Sequence, residues 1–358
     1  MNTEVFAARR ENLRRILRRE GLNAILVSHA ANRFYLSGFE LHDGMCSESS
    51  GYLIVIADGN DWLCTDSRYE EAAAQLWERE RVFIYTGVPA LDIGNLLSGL
   101  RLGKIGFEGN LLPWQFVQRI QDGLDLKSAD GLVEELRVIK DEAELSALAA
   151  SAKLNHDMMA LLPTVLTVGH TEAEIAWGLE KYFRDAGASG LSFASIVAKD
   201  WHAALPHYHP EGLSHTLTPN CHVLVDAGAR LDFYCSDQTR TFWVGDRPED
   251  RFLKTLDLVR EAQKAAMAII RPGVLGCEVH AAAVKVFADQ GLAAHFTHSL
   301  GHGVGLEVHE EPRLNSRSQT VLQPGMIITV EPGLYFPDWG GVRWEYMVAV
   351  THDGCRIL

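Results

Sequence analysis

Basic charge is in short supply: 33 Lys plus Arg stand against 47 Asp plus Glu, a formal net charge of −14 at pH 7. A chain this acidic is repelled at long range by phosphate backbones and anionic membranes, so a general role on either is excluded. Long apolar runs are missing too. The longest, such as residues 265–270, fall far short of the roughly 18 to 20 residues that span a bilayer. The six cysteines (Cys46, Cys64, Cys221, Cys235, Cys277 and Cys355) are scattered without a C-x-x-C pair. Neither a disulfide framework nor a structural zinc knot is expected, and reduced thiols in a cytoplasmic protein are. The Arg-rich start carries Glu4, Glu11 and Glu20 and no continuous apolar stretch, unlike a secretory signal or a transit peptide. There is no H-E-x-x-H, so a helix-borne zinc-protease site is not on offer.

What is present is enough apolar material for two cores: 358 residues, 47% of them hydrophobic. Phe6, Leu13 and Leu17 fall in one arc of a helix over residues 5–20 that Gly21 stops, with its arginines read as a solvated face interleaved with glutamates. Strands are expected at residues 24–28, 52–57, 62–65 and 81–85, with a hairpin across Asp58-Gly59-Asn60. Helices at 67–78 and 112–123 complete a mixed α/β domain over residues 1–130. A helix opening near Asp141 and ending before Pro163 leads into a second domain, residues 131–358. Further helices are expected at 172–186, 250–270 and 278–290. Histidines crowd this part at His202, His207, His209, His215, His222, His295, His298, His302 and His309.

The second domain contains an internal echo. Val223-Leu224-Val225-Asp226-Ala227-Gly228 is matched by Ile327-Ile328-Thr329-Val330-Glu331-Pro332-Gly333, an apolar strand ending in an acid, a small residue and a glycine. A second acid follows each, Asp237 and Glu345, so two hairpins present two carboxylates apiece. An isolated buried carboxylate loses most of its hydration, and four converging ones repel, which a divalent cation remedies. Read as one strand, Val342 to Val348 puts Arg343 and Glu345 on one face and Trp344, Tyr346 and Val348 on the other. Between the hairpins, glycines flank His302, and Val304 to Val308 is expected as a strand fixing His309. Any one of these histidines is most simply an ordinary hydrogen-bonded residue; three around a glycine-rich turn between acid hairpins point to a site. Four carboxylates and an imidazole suit two hard or borderline cations, manganese first, with zinc, cobalt or iron behind. Two such ions imply hydrolysis.

These motifs resemble the pita-bread metallopeptidases, in the Xaa-Pro peptidase branch of prolidases and aminopeptidases P. The likeness rests on Val225-Asp226-Ala227-Gly228, Tyr234 to Phe242, His298 to Glu310, Val330-Glu331-Pro332-Gly333 and Gly341-Val342-Arg343-Trp344-Glu345, in order and spacing. Asn32 to Phe39, Thr65 to Tyr69 and Leu136 to Lys140 extend it over nearly the whole chain. It implies an α+β protein: a creatinase-like N-terminal domain, then a pita-bread catalytic domain with a pseudo-twofold repeat.

By position, the resemblance makes Asp226, Asp237, His302, Glu331 and Glu345 the ligands of two divalent ions, with Asp237 and Glu345 bridging. Glu331 would also relay a proton between the attacking water and the leaving nitrogen. His298 and His309 would orient substrate and stabilise the tetrahedral intermediate. His207 matches a substrate-binding histidine, with His209 a rival, because the gap to Asp226 is longer than the family's. Arg313 matches a contact to a dipeptide's free carboxylate, and Arg343 is a further substrate-site candidate. The family's usual Asp after the last glutamate is Tyr346 here, facing away from Glu345 by parity. The Ala198 to His202 loop lacks its usual glycine. The expected protein is a homodimer that cleaves Xaa-Pro bonds, with a lean to dipeptides. A creatinase-like hydrolase or lyase and a catalytically inactive peptidase-like interaction protein are the alternatives.

Overall fold

The computed structural model describes residues 3–43, 48–121, 123–208 and 215–358. It divides into two compact units, Met1–Arg137 and Val138–Leu358. The division falls later than 130/131 because the helix Leu132–Arg137 belongs to the first unit, where Arg137 donates to Asn32 Oδ1 at 2.6 Å.

In the first unit the helix Thr3–Arg19 buries Phe6, Leu13, Ile16 and Leu17, as the apolar arc requires. Its arginines are not simply solvated. Arg10, Arg14 and Arg18 donate to the carbonyls of Leu36, Ile56 and Ala57, and Arg10 and Arg14 both pair with Asp61. Those carbonyls end a helix or a strand and need donors. The sheet runs Val82–Ile84, Trp62–Thr65, Tyr52–Ile56, Ala24–Val27, Ile105–Phe107, Leu126–Ser128, antiparallel within 24–65 and parallel toward both edges. The hairpin turns on Gly59 and Asn60, both at positive φ.

The second unit carries the echo as two antiparallel pairs. Cys221–Ala227 pairs with Gln238–Val244, and Ile327–Val330 with Tyr346–Val350. Each has a helical backing. Met158, Leu179 and Phe183 pack under Val197, Val223 and Val225, while Val259, Ala266 and Phe287 pack under Ile328, Val330 and Val348. The helices Glu142–Val165 and Glu172–Asp185 both open with capping boxes, Asp141/Glu144 and Thr171/Glu174.

Three further expectations, all of secondary structure, are corrected. Pro163 lies inside its helix, which ends at Val165; its missing N–H deprives the Met159 carbonyl of its intrahelical donor, and the helix continues only two residues further. Residues 304–308 are not a strand: strands at Gly301–Gly303 and Glu310–Leu314 flank a run of bends. A Cβ at Gly305 would sit 2.5 Å from Glu310 Oε2, so the chain folds back on itself there. Nor is 342–348 one strand. Gly340–Arg343 pairs with Gly333–Phe336, pairing lapses at Trp344 and Glu345, and Tyr346–Val350 joins the other sheet.

Close approach of backbones next to His302 gives a sharp prediction. A Cβ at Gly301 would lie 2.0 Å from Thr329 O on the neighbouring strand. Gly301→Ala is expected to destabilise the protein by about 3 kcal/mol or more in urea unfolding. An unchanged midpoint would show that these strands separate without cost.

Candidate metal centre

The four acids sit where the strands of the two hairpins end. Asp226 is the penultimate residue of its strand, opposite Thr239. Asp237 immediately precedes the partner strand, Glu331 follows Ile327–Val330, and Glu345 precedes Tyr346–Val350. Glu345 N donates to Thr239 O at 3.1 Å, which ties one hairpin to the other. The four carboxylates share a cavity of about 360 Å³ with His302, His298, His309, His207, Arg313 and Arg343. Every expected site residue in the described part of the chain is therefore brought together; His209 lies outside the described residues.

Ligand-type atoms fall into three overlapping groups, each within 4.8 Å: Asp226/Asp237/Glu345, His302/Glu331/Glu345 and Asp237/His302/His309. His302 Nδ1 lies 3.0 Å from the carbonyl of Gly303 and so carries the proton, which leaves Nε2 facing Glu331 at 3.3 Å and Asp237 at 3.6 Å. Thr239 Oγ1 donates to Glu345 Oε2 at 2.7 Å, and Thr329 Oγ1 to Glu331 Oε1 at 3.1 Å. Each hairpin thus orients an acid of the site with its own threonine.

Arg343 is wholly engaged within the site. Its guanidinium donates to Asp226 Oδ2 at 2.6 Å, Thr239 Oγ1 at 2.9 Å and Tyr335 Oη at 2.9 Å. Tyr335 in turn faces His298 Nε2 at 2.8 Å, while His298 Nδ1 lies 2.7 Å from Ser299 O. With Nδ1 donating to that carbonyl, Tyr335 donates to Nε2. A relay of hydrogen bonds therefore runs from Asp226 to His298.

Burial pushes the carboxyls of Asp226, Asp237 and Glu345 above their ordinary range, and neighbouring acids push the same way. Burial acts likewise on Glu331, but His302 and His298 outweigh it and hold Glu331 down to about 2. Burial, then His302 and Arg313, push His309 down to about 4, so its imidazole is neutral at pH 7. Asp226 Oδ1 and Glu345 Oε1 are buried with no hydrogen-bond partner among the described residues. Orphaned carboxylate oxygens, mutually repelling acids and an imidazole nitrogen aimed among them suit divalent cations.

Sequence reading missed Tyr335, a buried residue on Gly333–Phe336 that no motif marks. It also missed the setting of Arg240, whose guanidinium lies 4.3 Å from the ring of Trp344 and 4.2 Å from that of Tyr346. Arg240 donates to the backbone carbonyl of Glu345. The rings of Trp344 and Tyr346 together cradle this cation.

The metallopeptidase family M24 model matches residues 146–352, and the creatinase/prolidase N-terminal domain model matches residues 9–139. The chain belongs to metallopeptidase family M24. The two matches occur in the expected order, a creatinase-like N-terminal domain followed by the M24 domain. This M24 chain is 30% identical to the Xaa-Pro dipeptidase of Pyrococcus horikoshii over 95% of its own length and 93% of the relative's. Among solved structures, it is similar to the Xaa-Pro dipeptidase from Bacillus anthracis, with TM-score 0.89 and 32% identity over 98% and 97% of the two chains. The X-Pro aminopeptidase from Thermotoga maritima matches with TM-score 0.83 and 30% identity over 96% and 97%. Among the described residues of the M24 chain, no helix is long and apolar enough to cross a membrane.

Proposed function

We propose that this M24 peptidase is a prolidase, cleaving the Xaa-Pro bond of dipeptides at a centre of two divalent ions, manganese foremost. The observation that supports the reading is one cavity lined both by a carboxylate cluster and by a guanidinium, that of Arg313. A dipeptide is a zwitterion whose amine suits the first and whose carboxylate suits the second. Phe193, Ala194, Ile196 and Pro206 give the cavity an apolar wall for a pyrrolidine ring.

Asp226, Asp237, His302, Glu331 and Glu345 would hold the ions. Asp237, Glu345 and His302 each belong to two of the three ligand groups, and of these only the carboxylates, with two oxygens apiece, could be shared between two ions. When bound, the ions supply Lewis-acid polarisation of the scissile carbonyl and a nucleophile at neutral pH. Glu331, unprotonated, takes the proton of the attacking water and passes it to the leaving proline nitrogen. Neutral His309 offers a ring N–H to the oxyanion, and His298, aligned by Tyr335, borders the same space. His207, which lines the same cavity, would contact the substrate. Arg343, with its donors turned to Asp226, Thr239 and Tyr335, orients these groups rather than the peptide.

Arg313→Ala is expected to raise KM for an Xaa-Pro dipeptide about tenfold or more while altering that for an Xaa-Pro tripeptide little. Equal losses on both would remove the carboxylate role. Wild-type, metal-reconstituted enzyme should cleave the dipeptide faster than the tripeptide. The reverse order would support the second reading, an aminopeptidase P, which the likeness to the Thermotoga maritima enzyme favours. A protein that cuts neither ends both. A homodimer belongs to the same reading, and sedimentation as a monomer would remove it.

A further inference from the structure

Glu172 opens the helix Glu172–Asp185, yet its side chain is fully buried, at 0% exposure. A carboxylate there is costly unless its lone pairs are filled. Oε1 accepts from Lys199 N at 2.8 Å and from His202 Nδ1 at 2.7 Å. Oε2 accepts from the Tyr208 hydroxyl at 3.1 Å and from His215 N at 3.3 Å. His202 and Tyr208 stack with ring centres 4.4 Å apart and planes 16° apart, and His215 lies edge-on to His202 at 4.4 Å.

Glu172 itself does not line the substrate cavity; the segment it grips does. Pro206 and His207 line the cavity, between His202 on one side and Tyr208 on the other. Among the described residues, short turns stiffen this segment internally, with Leu205 N donating to His202 O at 3.0 Å and Tyr208 N to Leu205 O at 3.1 Å, and Arg343 Nη1 reaches the Pro206 carbonyl only at 3.4 Å. His207 is exposed, so its placement comes from these neighbours. Burial and the adjacent Glu172 carboxylate push the Tyr208 phenol up to about 12, so the hydroxyl remains a donor at working pH.

We propose that Glu172 is a positioning residue for substrate binding: through His202 and Tyr208 it fixes Pro206 and His207 as one wall of the cavity. This rests on the reading of His207 as a substrate contact. Glu172 touches neither substrate nor reacting atoms, so its removal should act on KM. Gln at 172 turns an amide N–H toward donors that now meet oxygen, and Phe at 208 deletes one bond while keeping the stack.

The test is a kinetic and exchange study of the metal-loaded enzyme as Glu172→Gln, Tyr208→Phe, His207→Ala and the Tyr208→Phe/His207→Ala double variant, on an Xaa-Pro dipeptide. Tyr208→Phe and Glu172→Gln are expected to raise KM about three- to tenfold with kcat within about twofold. In the double variant, Tyr208→Phe should add almost nothing to the KM of His207→Ala. Amide hydrogen exchange should rise over residues 200–208 in both single variants and stay unchanged over 221–227. An unchanged KM in Tyr208→Phe, full additivity with His207→Ala, or exchange rising evenly through the unit would overturn the proposal. If His207→Ala leaves KM unchanged, the substrate reading of His207 fails, while the exchange pattern still judges whether Glu172 holds the segment.

Discussion

Asp237→Asn is expected to lower kcat for an Xaa-Pro dipeptide by about a thousandfold or more, since Lewis-acid catalysis is worth several kcal/mol and each ~1.4 kcal/mol is tenfold. Asp237 is shared between two groups of ligand-type atoms, so on the proposed reading its loss would weaken the hold on both ions. The neutral amide nearly preserves shape, which separates charge from packing. Metal-free wild type confines four acids in one buried cluster, and Asp237 is repelled there by Glu345, Asp226 and Glu331. Asn removes one of those charges. Thermal unfolding should therefore give a paradoxical pair of results: in chelator the variant melts at or above the wild-type temperature, yet manganese raises its Tm far less than that of wild type. A variant that keeps the full manganese-dependent rise would show that Asp237 is not a ligand.

Glu331→Gln is the second large effect, and its signature differs. Gln can still accept the 3.1 Å bond from Thr329 Oγ1, so the side chain should keep its place. It cannot take a proton. The expected loss is about a hundred- to ten-thousandfold in kcat, with KM changed little, because proton relay is needed in the transition state rather than in binding. Manganese should still raise Tm, though less than in wild type, since one ligand has lost its charge. Steady-state kinetics at saturating manganese decide the matter. A kcat within tenfold of wild type would transfer the relay to another group.

The parts of this protein that were legible in its sequence are those set by short-range pattern. The acids that end the two apolar strands, Asp226 and Glu331, and their partners Asp237 and Glu345 were readable because the strand-acid-small-glycine pattern occurs twice. The opening helix followed from the arc of Phe6, Leu13 and Leu17. What stayed hidden depends on which strand lies beside which. Thr239 sits in a visible motif, but its bond to Glu345 Oε2 joins residues 106 apart in sequence. Tyr335 reads as one more aromatic strand residue until Arg343 and His298 are found on either side of its hydroxyl.

Parity reasoning was only half adequate. Arg343 and Glu345 do reach the same cavity, but the strand thought to alternate them lapses at Trp344 and Glu345, where the chain passes from one pairing to another. The helices Ala30–Ser37 and Pro89–Gly99 escaped sequence reading. The first carries Asn32, Arg33 and Ser37 on buried positions, polar groups that obscure an apolar stripe until their partners are known. Arg33, for example, is fully buried yet donates to the carbonyls of Gly51 and Glu40 at 2.6 Å each.

The central claim is that five residues of this chain hold two divalent ions that make it a peptidase for Xaa-Pro bonds. One titration tests it directly: protein stripped with chelator, manganese added in fractions of an equivalent, and bound metal and dipeptide cleavage measured on the same samples. The account predicts no turnover in the stripped protein and activity that climbs to a plateau as the second equivalent per chain is bound. Full turnover in the stripped protein, or two bound ions with no cleavage of any Xaa-Pro peptide, would contradict it.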